Sequence, residues 1–227
     1  MYDIVFISYD ESCADENYAR LKERFPMAKR VHGVKGIHTA HIKAAKKCFT
    51  KMFWIVDADA HIVEDFNFDY EVPEWDLDTV HVWRSQNPIN SLVYGYGGIK
   101  LFPRKLTIDM DTSNPDMTTS ISSNFKAMPE IANITAFNTD EFSTWRSAFR
   151  ECAKLASKTI RGQNNEETEQ RLETWCTVGH GKRFGEFCIR GAHSGRDFGY
   201  DCISSPDNLK FINDFDWLYE QFSKHTI

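Results

Sequence analysis

Short apolar runs alternate with amphipathic stretches at the start of the chain. Asp3 to Ser8 (DIVFIS) is apolar and rich in β-branched residues, which predicts a buried strand. Asp15 to Phe25 follows with Tyr18, Leu21 and Phe25 on one helical face, Asp15 able to cap it and Pro26 closing it. Arg30 to Val34 predicts a second strand. His38 to Phe49 reads as a helix with Ile42, Ala45 and Phe49 inward, and with Lys43, Lys46, Lys47, His38 and His41 toward solvent. Met52 to Val56 (MFWIV) is wholly apolar and stops at Asp57. Strand, helix, strand, helix, strand is the order of a parallel sheet with helices packed on it.

Beyond residue 78 the pattern is less regular. Thr79 to Trp83 alternates as a strand does, and Ile99 to Phe102 is a short strand ended by Pro103. Residues 107–124 are polar and rich in Thr, Ser and Asp, the composition of a mobile loop. Asp140 to Lys158 predicts a strong helix with Phe142, Trp145, Phe149, Cys152 and Leu155 on one face. Glu166 to Cys176 predicts another, and Phe215, Leu218 and Phe222 mark a C-terminal one. Residues 179–201 are rich in Gly, His and Arg and read as loop.

A chain of 227 residues buries enough surface to need no disulfide or metal for its core. No apolar run approaches the ~20 residues of a membrane span, and the start lacks the pattern of a signal peptide. The expectation is a cytoplasmic protein without a membrane partner. The six cysteines are scattered without a CxxC pair, so they are expected to be free thiols rather than a zinc or redox motif. A net charge of −6 argues against a nucleic-acid binder held by bulk charge. Its distribution is uneven: residues 1–51 carry ten Lys/Arg against six Asp/Glu, whereas residues 52–78 carry nine Asp/Glu and no Lys/Arg.

That acidic block begins inside the apolar strand, at Asp57-Ala58-Asp59. Ligands of open α/β sheets bind at the carboxyl ends of the strands. Two carboxylates two residues apart at such an end can share an oxygen-seeking cation, Mg²⁺ or Mn²⁺, with phosphate oxygens and water. The plainer alternative is a strand-end cap followed by a turn. Gly95-Tyr96-Gly97-Gly98 precedes a strand, where glycine permits positive φ and close backbone approach to a ligand, or simply a tight turn. Trp83, Arg84, Tyr94 and Tyr96 offer stacking surface or core packing.

The order of elements together with Asp57-Ala58-Asp59 resembles the nucleotide-sugar glycosyltransferases of the GT-A fold. The resemblance covers residues 1–105 and is looser beyond. The segments VWRSQNPINSLVYGYGGIKLFPR and TDEFSTWRSAFRE also resemble glycosyltransferases of T-even-like tailed bacteriophages, among them enzymes that add arabinose to hydroxymethylcytosine in phage DNA. It implies a Rossmann-like, mostly parallel sheet with helices on both faces and a C-terminal part of helices and loops. Residues 1–227 would form one domain, with 1–105 binding the nucleotide sugar, by family habit a UDP-sugar, and 106–227 serving the acceptor.

The resemblance also implies roles. Asp57 and Asp59 would hold the metal on the donor diphosphate, with His193 as third ligand and His180 as its competitor. Ser8, Tyr9 and Asp10 would hold the nucleoside, Gly97 and Gly98 would line the sugar pocket, and Lys182 and Arg196 would share the leaving-group charge. Asp140 or Glu141, behind Thr139 as helix cap, would be the base if the anomeric centre inverts. The lysines of 43–51 and the arginines of 183–196 would form a basic track if the acceptor is double-stranded DNA. The acceptor is otherwise a glycan, protein or small molecule. A GT-A-like module that binds nucleotide without turnover is the alternative to an enzyme. A nucleotidyltransferase fits less well, because SYDESCADEN after the first strand is acidic and lacks glycine.

Overall fold

The computed structural model describes residues 1–95, 98–114, 116–159 and 164–225. The chain divides into two compact units, residues 1–87 with 93–136, and residues 88–92 with 137–225. The expected start is present: β1 (Asp3–Ser8), α1 (Ala14–Arg24), β2 (Lys29–His32), α2 (Ile37–Lys46) and β3 (Met52–Asp57). Then come β4 (Ala60–Ile62), a 3₁₀ turn (Glu74–Asp76), β5 (Val80–Gln86), β6 (Val93–Tyr94), β7 (Ile99–Pro103), α3 (Arg104–Ile108), α4 (Met117–Ile121) and β8 (Phe125–Thr135).

The sheet of the first unit is mixed, in the order β2-β1-β3-β7-β5-β8-β4, with β6 on β5. β2, β1 and β3 are parallel neighbours. β7 inserts antiparallel between β3 and β5, and β8 runs parallel to β5. Both faces are covered. Met52, Trp54 and Val56 of β3 join Leu21 of α1 in one apolar cluster, whereas Phe53 and Ile55 join Ala44 and Ala45 of α2 with Met117 and Ile121 of α4 in another. This is why the strand shows an unbroken apolar run rather than alternation. Trp54 anchors the first cluster, with the rings of Trp83, Phe68 and Phe66 centred 4.5, 5.2 and 5.8 Å away.

Two expectations need correction, and one strand was not expected. α2 turns Ala40, His41, Ala44 and Ala45 inward, so His41 is buried and Phe49, beyond the helix end, is 88% exposed. Small alanines let the helix sit close on the sheet, and that outweighs the single Ile42. Residues 107–124 are largely ordered by packing: α4 is capped by Asp116, which accepts the Thr119 N–H at 2.9 Å, and Met110, Met117 and Ile121 are buried. β8, the longest strand, has no counterpart in the sequence expectations. Its burial does not alternate, it carries Pro129, and its register against β5 shifts around Arg84.

The second unit holds α5 (Glu141–Ala156), α6 (Asn165–Thr177), α7 (Gly185–Ser204), a 3₁₀ helix (Pro206–Asn213) and α8 (Phe215–His225). Trp145, Phe149, Leu209, Ile212 and Leu218 form its core. The glycine-rich stretch expected as loop is mostly the 20-residue α7. Gly191, Gly195 and Gly199 fall one turn apart on the face against α5. A Cβ on them would stand 2.3, 2.1 and 2.5 Å from the carbonyl oxygens of Trp145, Phe149 and Ala153. Close helix approach, not loop flexibility, accounts for those glycines. All six cysteines are free thiols. Among the described residues no helix is long and apolar enough to cross a membrane.

Candidate functional site

The turn Asp57-Ala58-Asp59 leaves the carboxyl end of β3 and is fixed by its backbone. The Asp57 N–H donates to the Gly98 carbonyl at 2.9 Å, and the Ala136 N–H donates to the Asp59 carbonyl at 2.7 Å. From α1, the buried Asn17 amide donates to the Ala58 carbonyl at 2.8 Å. Three elements remote in sequence therefore set the direction of the two carboxylates.

The carboxylates are treated differently. Asp57 accepts from the Lys100 ammonium of β7 at 2.7 Å, with the lysine side chain 12% and the aspartate 31% exposed. Burial opposes ionisation of Asp57, but the Lys100 ammonium and a backbone hydrogen bond from Gly98 outweigh it and hold the carboxyl below its ordinary value. For Asp59 the charge of Lys100 and a backbone hydrogen bond also favour ionisation, but they are outweighed. Burial first, then the charges of Asp57 and Glu11, push its carboxyl up to about 7. His41 completes the surroundings. It is 3% exposed, its Nδ1 lies 2.8 Å from the Ile37 carbonyl, and its Nε2 is buried without a hydrogen-bond partner. Burial holds it neutral, with its pKa lowered to about 4.

Gly98 has φ +66°, and a Cβ there would overlap the Asn133 side chain at 2.2 Å. Asn133 is fully buried and donates to Ser85 Oγ at 3.0 Å and Thr135 Oγ1 at 3.1 Å. The glycine is thus required both by backbone conformation and by the polar layer behind it. Gly97 and Tyr96 lie outside the described residues.

The other expected site residues are placed as follows. Ser8 Oγ is used inside the fold, receiving the Arg30 Nε–H at 2.9 Å and lying 3.0 Å from His32 Nδ1. Tyr9 and Asp10 are exposed just after β1, and the Tyr9 N–H donates to Glu11 at 2.7 Å. Trp83 and Tyr94 are core residues at 1% and 6% exposure, not a stacking surface. Lys43 and Lys46 are exposed on α2.

In the second unit Asp140, rather than Thr139, is the N-cap of α5, accepting the Ser143 N–H at 2.7 Å and the Thr139 hydroxyl at 3.2 Å. Burial opposes its ionisation, but the hydrogen bonds of Ser143 and Thr139 prevail and hold its carboxyl low, which weakens it as a base. Glu141 is exposed in the first turn and takes no part in that cap. His193 is a helical residue, not a loop one. Its Nε2 lies 3.1 Å from the Cys176 carbonyl in the last turn of α6, a helix end with no basic residue of its own. Arg196 pairs with Asp197 at 3.0 Å and reaches Cys176 Sγ at 3.8 Å. His180 pairs with Glu186 at 2.8 Å, and Lys182 is exposed in the turn before α7.

No family model and no curated protein matches the chain. Among the described residues no group of three or more His, Cys, Asp or Glu is placed to hold a metal. The oxygen donors that remain, Asp59 and the second oxygen of Asp57, suit a hard divalent ion completed by water and phosphate. The raised carboxyl of Asp59 is what a cation there would relieve.

Sequence reasoning missed Lys100. A signal existed: in Ile99-Lys100-Leu101-Phe102 the lysine shares a face with the buried Phe102, as Asp57 shares one with Phe53 and Ile55. A lysine on an apolar face implies a carboxylate partner.

Proposed function

We propose that this chain is a metal-dependent glycosyltransferase of GT-A type, moving a sugar from a nucleotide-sugar donor to an acceptor hydroxyl. The observation that carries it is the pair Asp57 and Asp59 at the carboxyl end of β3, in a parallel β2-β1-β3 arrangement, with one carboxyl pushed up to about 7. The divalent ion, Mn²⁺ or Mg²⁺, would supply Lewis-acid stabilisation of the departing diphosphate. Asp59 holds the negative charge that receives it, and the backbone bonds of the turn keep that carboxylate oriented without the donor. Exposed Tyr9 and Asp10 offer polar groups to the nucleoside. Of the two acids expected as base if the anomeric centre inverts, Asp140 has its carboxylate occupied as a helix cap, whereas Glu141 is exposed.

The resemblance of the segments VWRSQNPINSLVYGYGGIKLFPR and TDEFSTWRSAFRE to phage glycosyltransferases makes arabinose transfer to hydroxymethylcytosine in double-stranded DNA the first acceptor reaction to try. The exposed Lys43 and Lys46 are consistent with phosphate contacts, and equally with a solvated helix face. The test is thermal stability with nucleotide diphosphates and UDP-sugars, with and without Mn²⁺. A shift for one nucleotide that requires metal and is lost in Asp59→Asn supports the donor site. No shift with any of them would leave the aspartates as a strand-end turn.

A further inference from the structure

We propose that Lys100 is a built-in cation of the diphosphate site, dividing the two aspartates of the turn between itself and one divalent ion, and that its ammonium also binds the diphosphate directly. The inference rests on the donor-site reading above and concerns how that site is charged.

Asp57 and Asp59 lie two residues apart at the end of β3, and the charges of Asp57 and Glu11 both act on Asp59. A single divalent ion would leave that group negative, and a diphosphate would then approach against like charge. With Lys100 on Asp57 the same group is balanced once the ion is bound. The lysine is not a surface residue that happens to reach the turn. It is 12% exposed on β7, and its register opposite Ile55 directs it diagonally to Asp57 at 2.7 Å. Asp57 is the only hydrogen-bond partner of the Lys100 ammonium among the described residues, and an ammonium carries three donors, so two remain for phosphate oxygens. A second observation also points to this spot. The buried Nε2 of His41 has no hydrogen-bond partner, and the charges that act on His41 most are Asp57 and Lys100. A buried, unpartnered acceptor thus sits within the field of the ion pair.

This assigns different work to the two aspartates. Asp59 is the chief protein ligand of the divalent ion, and Asp57 holds the lysine with one oxygen while its second is left for the ion. It also predicts that the lysine weakens metal binding in the free protein while strengthening diphosphate binding, two effects of opposite sign from one residue.

The experiment is calorimetry of the full chain with Mn²⁺ alone, with inorganic pyrophosphate alone, and with both. In Lys100→Met, affinity for Mn²⁺ alone should rise about tenfold and affinity for metal-free pyrophosphate should fall about tenfold, the scale of one charge-assisted hydrogen bond. Lys100→Arg should retain pyrophosphate binding. Because Lys100→Met leaves Asp57 without its partner and can fail to fold, Asp57→Asn provides the converse. It frees the ammonium, so metal-free pyrophosphate should bind about threefold tighter, while Mn²⁺ binding through Asp59 persists. Lys100→Met with both affinities unchanged, or Asp57→Asn with weaker pyrophosphate binding, overturns the role of Lys100. If the wild-type chain binds no pyrophosphate even with Mn²⁺, the donor-site reading itself falls. If it does so through Asp59 but indifferently to Lys100, only this inference falls.

Discussion

Two aspartates mark opposite ends of neighbouring strands, and the fold treats them in opposite ways. Asp3 opens β1 at the amino edge of the sheet. It meets the Lys29 ammonium at 2.5 Å, the N–H groups of Phe49 and Thr50 at 2.6 and 3.0 Å, and the Thr50 hydroxyl at 3.1 Å. Its partial burial disfavours the charge, yet these donors lower its carboxyl to about 2. Asp59 follows β3 at the carboxyl edge, where burial and two neighbouring carboxylates raise it to about 7. One aspartate has its charge satisfied within the protein, whereas for the other the help of Lys100 and a backbone hydrogen bond falls short of the cost of burial and of two like charges. A bound cation would relieve a charge of the second kind.

The largest test removes the charge of Asp59. In the folded chain Asp59 holds its proton more tightly than in the unfolded one, so ionising it costs stability. That cost is absent below about pH 4, grows as pH rises, and is complete above about pH 7. Asp59→Asn should therefore be more stable than wild type at about pH 8 without metal, by on the order of 2–3 kcal/mol, and nearly equal to it at about pH 4. Mn²⁺ should stabilise the wild type at the higher pH and leave the variant unmoved. Melting curves at both pH values check this, and an Asp59→Asn protein less stable at the higher pH would break the contrast.

Asp3→Asn is the counterpart with the opposite sign. A lowered carboxyl contributes stability above its unfolded value near pH 4, and this is lost as pH falls toward about 2. The variant should lose about 2 kcal/mol at neutral pH, with the deficit shrinking in acid. Denaturant unfolding across that window measures it. Asp140→Ala extends the satisfied class to the second unit: losing the α5 cap should cost about 1 kcal/mol. Urea unfolding would show it, and no loss would mean that Asp140 does not serve as a cap.

How much of this was legible depends on what each residue answers to. β1, α1, β2 and β3 follow from local periodicity, because their partners are one another and the apolar runs announce burial. Asp57 and Asp59 are visible because a strand as apolar as MFWIV rarely ends in paired carboxylates without a reason. Lys100 was harder to see, since its meaning depends on β7 being inserted antiparallel beside β3, a pairing that no local pattern encodes. β8 was hidden by Pro129 and by a burial pattern without period. The glycines of α7 misled in the other direction. Composition reads Gly191, Gly195 and Gly199 as loop, but their spacing of four is the mark of a helix face, and only the carbonyls of α5 against them show why no side chain fits.

His193 gives the smallest effect and the sharpest separation of the two kinds of polar group. By sequence it resembled a third metal ligand. In the structure its Nε2 is directed at the Cys176 carbonyl, one of the oxygens that α6 leaves without an intrahelical partner. A group so used belongs with Asp3 rather than with Asp59: its polarity is answered within the fold. His193→Ala should then lose no more than about 1 kcal/mol, the net worth of one hydrogen bond. Its Mn²⁺ affinity and its metal-dependent nucleotide shift should match the wild type. Manganese titration of the variant decides between the two. A loss of affinity comparable to that of Asp59→Asn would return the histidine to the metal and show that a hydrogen bond to a helix end does not exclude ligation, and equal affinity would leave the aspartates of the β3 turn as the source of the metal's protein ligands.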